Sequence, residues 1–158
     1  MISLRVIQLI GRLALIALVA AGVACEKGPC GKTPNELAGS VSSTYDIVVD
    51  SVRAKRVDQT AVTIEFAHGN DIVAKIVVDT SSYAKGAAIP LVDGDVYRVT
   101  SPSTDFPDDI ERGQITFETE LTNGQPIEGC FAVTFNMENG EQRTLDGAFS
   151  APLEDIDS

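Results

Sequence analysis

The three cysteines are the side chains of this 158-residue chain that are best suited to chemistry. They stand at Cys25, Cys30 and Cys130. Thiolates hold zinc when they recur as close pairs such as C-x-x-C or lie beside histidines, and these three do neither. The cysteine chemistry that remains is disulfide formation between two of them and covalent modification of the third. An odd number of cysteines in an exported chain leaves one thiol to be explained.

The loop of residues 101–111 is the one candidate metal site, and a weak one. It contains the acids Asp105, Asp108, Asp109 and Glu111 together with two prolines. Carboxylate oxygens are the ligands that calcium prefers, so these four are weak calcium candidates. The spacing lacks the Asp-x-Asp-x-Asp-Gly order of an EF-hand, and a solvated acidic loop without metal is the preferred interpretation.

Two further side chains, His68 and Phe106, have types that can serve a functional site. His68 is the single histidine and stands beside Gly69 at a predicted turn. A catalytic histidine needs a nucleophile or an acid placed against it, and the sequence shows no such partner. We therefore interpret His68 as a turn residue, and we expect Phe106 in the acidic loop to tuck into the edge of the fold.

A small basic cluster, Arg53, Lys55 and Arg56, interrupts an otherwise acidic chain. It has two interpretations: charge that protects an edge strand against pairing, which is preferred, or a docking spot for an acidic partner. Walker, Rossmann, nucleophile-elbow and zinc motifs are all missing from the sequence. We therefore predict that the protein is not an enzyme and needs no cofactor.

The residues before Cys25 have the order of an export signal. Two arginines precede an uncharged apolar run over residues 13–24, which ends in small side chains such as Gly22 and Ala24. A run of about 12 residues fits the roughly 7–15 of a signal peptide and is shorter than the roughly 18–20 that cross a bilayer. We therefore interpret residues 1–24 as a signal peptide.

The segment Gly22-Val23-Ala24-Cys25 resembles the lipobox at which bacterial lipoproteins are processed. In that family the cysteine sulfur receives a diacylglyceryl group, the leader is removed, and the new amino terminus is usually acylated. The resemblance implies that Cys25 is the lipidation site. Because the family prefers an aliphatic residue where Gly22 stands, an ordinary cleaved signal peptide is the main alternative and an uncleaved anchor is a second one.

The charge of the mature chain gives such an anchor a physical role. Residues 25–158 keep 10 of the 12 Lys and Arg and all 23 Asp and Glu, which gives a formal charge of −13. Anionic headgroups and nucleic acid repel such a surface, so we expect no nucleic-acid partner. Each buried acyl methylene contributes about 0.8 kcal/mol, so two or more chains hold the protein at a membrane. In the same family, an Asp directly after the lipidated cysteine favours the inner membrane. Here that residue is Glu26, so the resemblance implies the outer membrane.

Modification of Cys25 leaves Cys30 and Cys130 as an even pair. An exported chain reaches an oxidising compartment, where a disulfide between them can form and persist. Its loop of about 100 residues would contribute up to about 4–5 kcal/mol in the chain-entropy model. We predict this bridge, with two reduced thiols as the alternative.

The pattern after the leader is that of strands. Residues 25–42 contain few large apolar side chains and are interpreted as the lipidated terminus and a tether, and residues 154–158 as an acidic tail. Between them, Thr, Val, Ile and Phe dominate and turn signals recur. The prediction is an all-β domain over residues 43–153, a single antiparallel β-sandwich or partly open barrel. Its eight strands are expected near 44–56, 60–67, 71–79, 87–92, 95–100, 113–121, 127–137 and 141–150.

Three hairpin registers follow from keeping apolar side chains on one face. The first pairs Phe66 with Ile72. The second pairs Phe117 with Phe131 in a three-stranded meander over residues 113–153. The third uses a three-residue loop ending in a glycine at positive φ, which pairs Phe135 with Arg143. Gly129 and Gly147, in two similar segments, are expected at bends or bulges.

The leader and the β domain together define an expected function. The protein is expected to be exported and lipid-anchored to the bacterial cell envelope, at the outer membrane. It would act there as a non-enzymatic interaction or structural module, with an envelope protein as its partner. The alternative is a ligand-binding β-sandwich, calcium-assisted through the loop of residues 101–111. No motif in the chain indicates a more specific role.

Overall fold

The computed structural model describes residues 29–99 and 106–156, and these residues form an all-β fold, as predicted. Cys25 and the predicted signal peptide lie outside the described residues. The elements, in chain order, are β1 (Glu36–Ala38), α1 (Ser40–Thr44), β2 (Ser51–Val57), β3 (Ala61–His68), β4 (Asp71–Asp79), β5 (Ala88–Pro90), β6 (Val96–Tyr97), β7 (Ile110–Phe117), β8 (Pro126–Asn136) and β9 (Gln142–Ile156).

The strands form one curled sheet, a half-barrel, in the order β5-β7-β8-β9-β2-β3-β4-β6. The predicted meander is present as β7, β8 and β9. The sheet is mixed rather than wholly antiparallel, because residues 54–57 of β2 run parallel to residues 153–156 of β9. A short stretch, residues 88–97, pairs with β7 at one edge of the sheet and with β4 at the other.

The N-terminal segment is docked on the sheet, which corrects the prediction of a tether extending to residue 42. Since β2 pairs only with the last residues of β9, the earlier part of that side of β9 is free for β1, where Glu36 pairs with Ala148. The side-chain oxygen of Asn35 accepts a 2.8 Å hydrogen bond from the Ser150 N–H. Val41 of α1 is completely buried. The strand predicted to begin at residue 44 begins at Ser51 instead.

The inner face of the half-barrel holds one apolar core. Its largest fully buried side chains include Phe66, Phe117, Phe131, Phe135 and Phe149. Each of these belongs to a strand in which alternate residues face inwards, as the period of two requires. The core therefore follows from the apolar alternation in the sequence.

One predicted register is confirmed and two are wrong by two residues. Phe135 pairs with Arg143 across a turn in which Gly140 has φ +79°, as predicted. Phe66 pairs with Ala74 rather than Ile72, because the ladder is irregular between residues 66 and 67. Phe131 pairs with Ile115 rather than Phe117. A shift of two residues leaves the same side chains on the inner face, so apolar patterning alone does not detect it.

Gly129 and Gly147 do not lie at bulges, which corrects a further prediction. The β8–β9 ladder runs without interruption from Pro126 opposite Pro152 to the pairing of residues 136 and 142. Neither glycine has a positive φ. Their role is steric, because each stands where another part of the chain comes too close for a side chain.

Candidate functional site

Cys30 and Cys130 form a disulfide, as predicted, with a Cα–Cα distance of 6.0 Å. Cys130 lies on the outer face of β8, because its neighbours Gly129 and Phe131 are buried on the inner face. The Cys30 N–H donates a 3.0 Å hydrogen bond to the Glu118 carboxylate. The chain is therefore covalently fixed to the sheet five residues after Cys25.

The basic cluster on β2 does not protect a sheet edge. β2 lies between β9 and β3, so the edge interpretation of Arg53, Lys55 and Arg56 is wrong. Arg56 donates hydrogen bonds of 2.8 and 3.1 Å to the two carboxylate oxygens of Asp155, its partner across the parallel ladder. This bidentate pair holds the two parallel strands together. Arg53 is the exposed member of the cluster.

Glu65 on β3 is a buried carboxylate between two lysines. Its side chain is 3% exposed and lies 2.8 Å from the Lys55 Nζ and 3.2 Å from the Lys75 Nζ. Burial acts to raise the pKa of Glu65, but the hydrogen bonds and charges of the two lysines outweigh it and hold that pKa below its usual value. Lys55 is therefore engaged within the fold and is not available to an acidic partner.

Replacement of Glu65 by glutamine is expected to lower the free energy of unfolding at pH 7 by about 2 kcal/mol, because two half-buried ammonium groups lose their charged partner. Because the folded pKa is depressed, the contribution is present above the unfolded pKa of about 4.3 and is lost as the pH falls through the folded pKa. Urea unfolding between pH 3 and 7 measures it. Glu141→Gln, an exposed control, should change little. If wild type and Glu65→Gln differed in free energy of unfolding by as much at pH 3 as at pH 7, this account would be contradicted.

His68 ends β3 immediately before the turn at Gly69. Its Nδ1 atom lies 3.3 Å from an oxygen of Asp50, and both side chains are about half exposed. The same carboxylate accepts a 2.7 Å hydrogen bond from the Gly69 N–H, which is the main reason that the pKa of Asp50 is lowered. The three residues form a local turn contact at the surface, which is consistent with the interpretation of His68 as a turn residue.

The acidic loop is described only from Phe106 onwards, so Asp105 lies outside the described residues. The side chain of Asn136 donates a 3.0 Å hydrogen bond to the Glu111 carboxylate. Across residues 29–99 and 106–156, His, Cys, Asp and Glu do not form any group of three that could hold a metal. Because the four calcium candidates include Asp105, the weak calcium site stays a prediction.

Phe106 packs into the fold, as predicted, and takes part in a row of rings at one end of the half-barrel. Its ring centroid lies 5.8 Å from that of Tyr45 and 6.1 Å from that of Phe135. Tyr45 follows α1 and Phe135 stands near the end of β8. Three segments that are distant in sequence therefore meet at this end, which also carries the β8–β9 turn. We call it the turn end.

A pocket of about 480 Å³ opens at the turn end. Its described lining combines apolar and polar side chains: Tyr45, Phe106, Pro107, Asp108, Asn136, Met137, Glu138, Asn139 and Arg143. From the sequence, Asp108 is only a calcium candidate and Arg143 only a register partner of Phe135. The sequence carries no signal for this pocket, because its lining residues come from three separate segments.

Comparisons with family models, with curated proteins and with solved structures found no match to this chain. None of the helices in the part of the chain that the structure describes has the length and apolarity to cross a bilayer. The function must therefore be inferred from the residues themselves: the predicted leader, the three cysteines and the pocket at the turn end.

Proposed function

We propose that this protein is a lipid-anchored protein of the bacterial cell envelope, at the outer membrane, whose half-barrel acts as a non-enzymatic interaction or structural module. The observation that supports the proposal most is the Cys30–Cys130 disulfide. It uses two of the three thiols and leaves Cys25, directly after the leader-like segment, as the odd one. An odd thiol at that place is what a lipidated cysteine requires.

The position of the disulfide supports a head held close to the membrane. Cys30 stands five positions after Cys25, and a stretch of that length spans at most about 18 Å. Cys130 stands on β8 six residues before Asn136, the last residue of that strand. The bridge therefore lies about 20 Å along the strand from the turn end. An anchor at Cys25 would therefore leave the turn end available to a partner protein of the envelope.

Replacement of Cys25 by serine is expected to move the protein from the outer-membrane fraction to the soluble fraction of the native host, because a hydroxyl cannot form the thioether to lipid. The measurement is membrane fractionation followed by immunoblotting. Glu26→Gln, next to the same cysteine, is the matched control and should stay with the membrane. An equal distribution of wild type and Cys25→Ser would contradict the anchor.

A further inference from the structure

We infer that the pocket at the turn end is a binding site for a small monocarboxylate ligand with an apolar body, and that Arg143 holds the carboxylate. The inference goes beyond the proposed function and does not depend on how the N terminus is anchored. It starts from Arg143, which pairs with the completely buried Phe135. Directly paired residues share a face, so the side chain of Arg143 lies on the inner side of the sheet.

Arg143 and Arg98 are the half-buried basic residues for which the described part of the chain supplies no carboxylate partner, and of the two only Arg143 lines the pocket at the turn end. Lys32, Lys55, Arg56 and Lys75 each form an ion pair with a carboxylate. Arg143 makes no side-chain hydrogen bond or ion pair with any residue that the structure describes. A guanidinium removed from water normally has a partner. None of the acids in the described part of the chain pairs with Arg143, so its guanidinium is open to an anionic ligand.

The walls of the pocket favour an apolar ligand body. The rings of Tyr45 and Phe106 are half-buried and adjacent, Pro107 is buried, and Met137 stands at the start of the β8–β9 turn. The volume of about 480 Å³ is within the roughly 300–1,000 Å³ of small-molecule sites. The pocket thus has room for a ring or a branched chain attached to the anionic group.

The rim selects a single negative charge. The exposed carboxylates of Asp108 and Glu138 line the same pocket and repel any anion, but they repel a ligand with two negative charges, such as a phosphate ester, about twice as strongly as one with a single charge. A carboxylate carries one charge and matches the planar fork of a guanidinium, which donates two parallel hydrogen bonds. The combination of one inner cation and two rim acids therefore fits a monocarboxylate better than a phosphate.

The test uses the full mature protein in detergent micelles, with amide chemical shifts followed by NMR as 3-phenylpropanoate is added. We expect saturable shifts at Met137, Asn139 and Arg143, and at least tenfold weaker binding of both 3-phenylpropanamide and 3-phenylpropyl phosphate. Arg143→Gln should weaken 3-phenylpropanoate binding at least tenfold. Arg112→Gln removes an exposed arginine from β7 and should leave the affinity unchanged. Empty micelles correct for partitioning of the probes.

The inference is overturned by any of three results. These are equal binding of the carboxylate and the amide, an unchanged affinity in Arg143→Gln, or no saturable shift at the pocket. Arg143→Lys separates loss of folding from loss of the ligand contact, because it keeps the charge and loses the fork. It should fold as the wild type does and bind with an affinity between those of wild type and Arg143→Gln.

Discussion

Cys130→Ser is expected to lower the free energy of unfolding by about 4 kcal/mol, a larger loss than we expect from any single substitution that leaves the disulfide intact. The disulfide joins residues separated by 100 positions, so its loop includes most of the β domain. Opening that loop gives the unfolded chain more conformations and stabilises it relative to the folded state. Urea unfolding at pH 7, under oxidising conditions and with Cys25 replaced by serine, measures the difference.

Two controls separate the bridge from the local environment of Cys130. Cys30→Ser should have nearly the same effect, and the double variant should be no less stable than either single variant, because both changes remove one bond. Reduction of the wild type should lower its stability to that of the variants and leave theirs unchanged. A loss below about 1 kcal/mol in each single variant would contradict a stabilising bridge.

Gly129→Ala is expected to cost about 3 kcal/mol, although it adds only one methyl group. An added Cβ would collide with the carbonyl oxygen of Thr116 on β7 and would lie 2.5 Å from Cζ of Phe149 on β9. Neither neighbour moves easily, since the first is backbone in a paired strand and the second is a completely buried ring. Thermal or urea unfolding of the oxidised protein measures the cost.

Gly124→Ala is the matched control for this prediction. Gly124 has φ +73°, and an added Cβ there meets no atom within 4 Å. Its cost should be about 1 kcal/mol, the penalty of the left-handed conformation alone. If Gly129→Ala were no more costly than Gly124→Ala, the close contact of β8 with Thr116 and Phe149 would be contradicted.

The parts of the fold that sequence reasoning predicts are those encoded by local patterns. Alternating apolar residues around Ile64 and Val133 indicate strands with one buried face, and Asn139-Gly140 indicates the turn that sets the β8–β9 register. The disulfide follows from counting the thiols of a chain whose first 24 residues predict export. The strands and the turn are inferred from residues that are close in sequence. The disulfide is inferred because the chain has so few cysteines that few pairings are possible.

The remaining features depend on contacts between distant segments. β1 has only three residues, which are too few to show a strand pattern in the sequence. It forms because one side of β9 is unpaired there and accepts it. The parallel pairing of Arg56 with Asp155 joins residues 99 positions apart. The pocket escapes prediction for the same reason, because Tyr45, Phe106 and Arg143 meet only when the sheet curls. The steric role of Gly129 likewise needs the ring of Phe149 in place.

The most direct test of the proposed anchor is mass spectrometry of the mature N-terminal peptide, purified from the native host without reduction. The account predicts a chain that begins at residue 25, with the mass of a diacylglyceryl thioether on that sulfur. It further predicts that the peptide containing Cys30 is linked to the peptide containing Cys130. A mature protein whose Cys25 carries a free thiol, or which retains residues 1–24, would contradict the central claim.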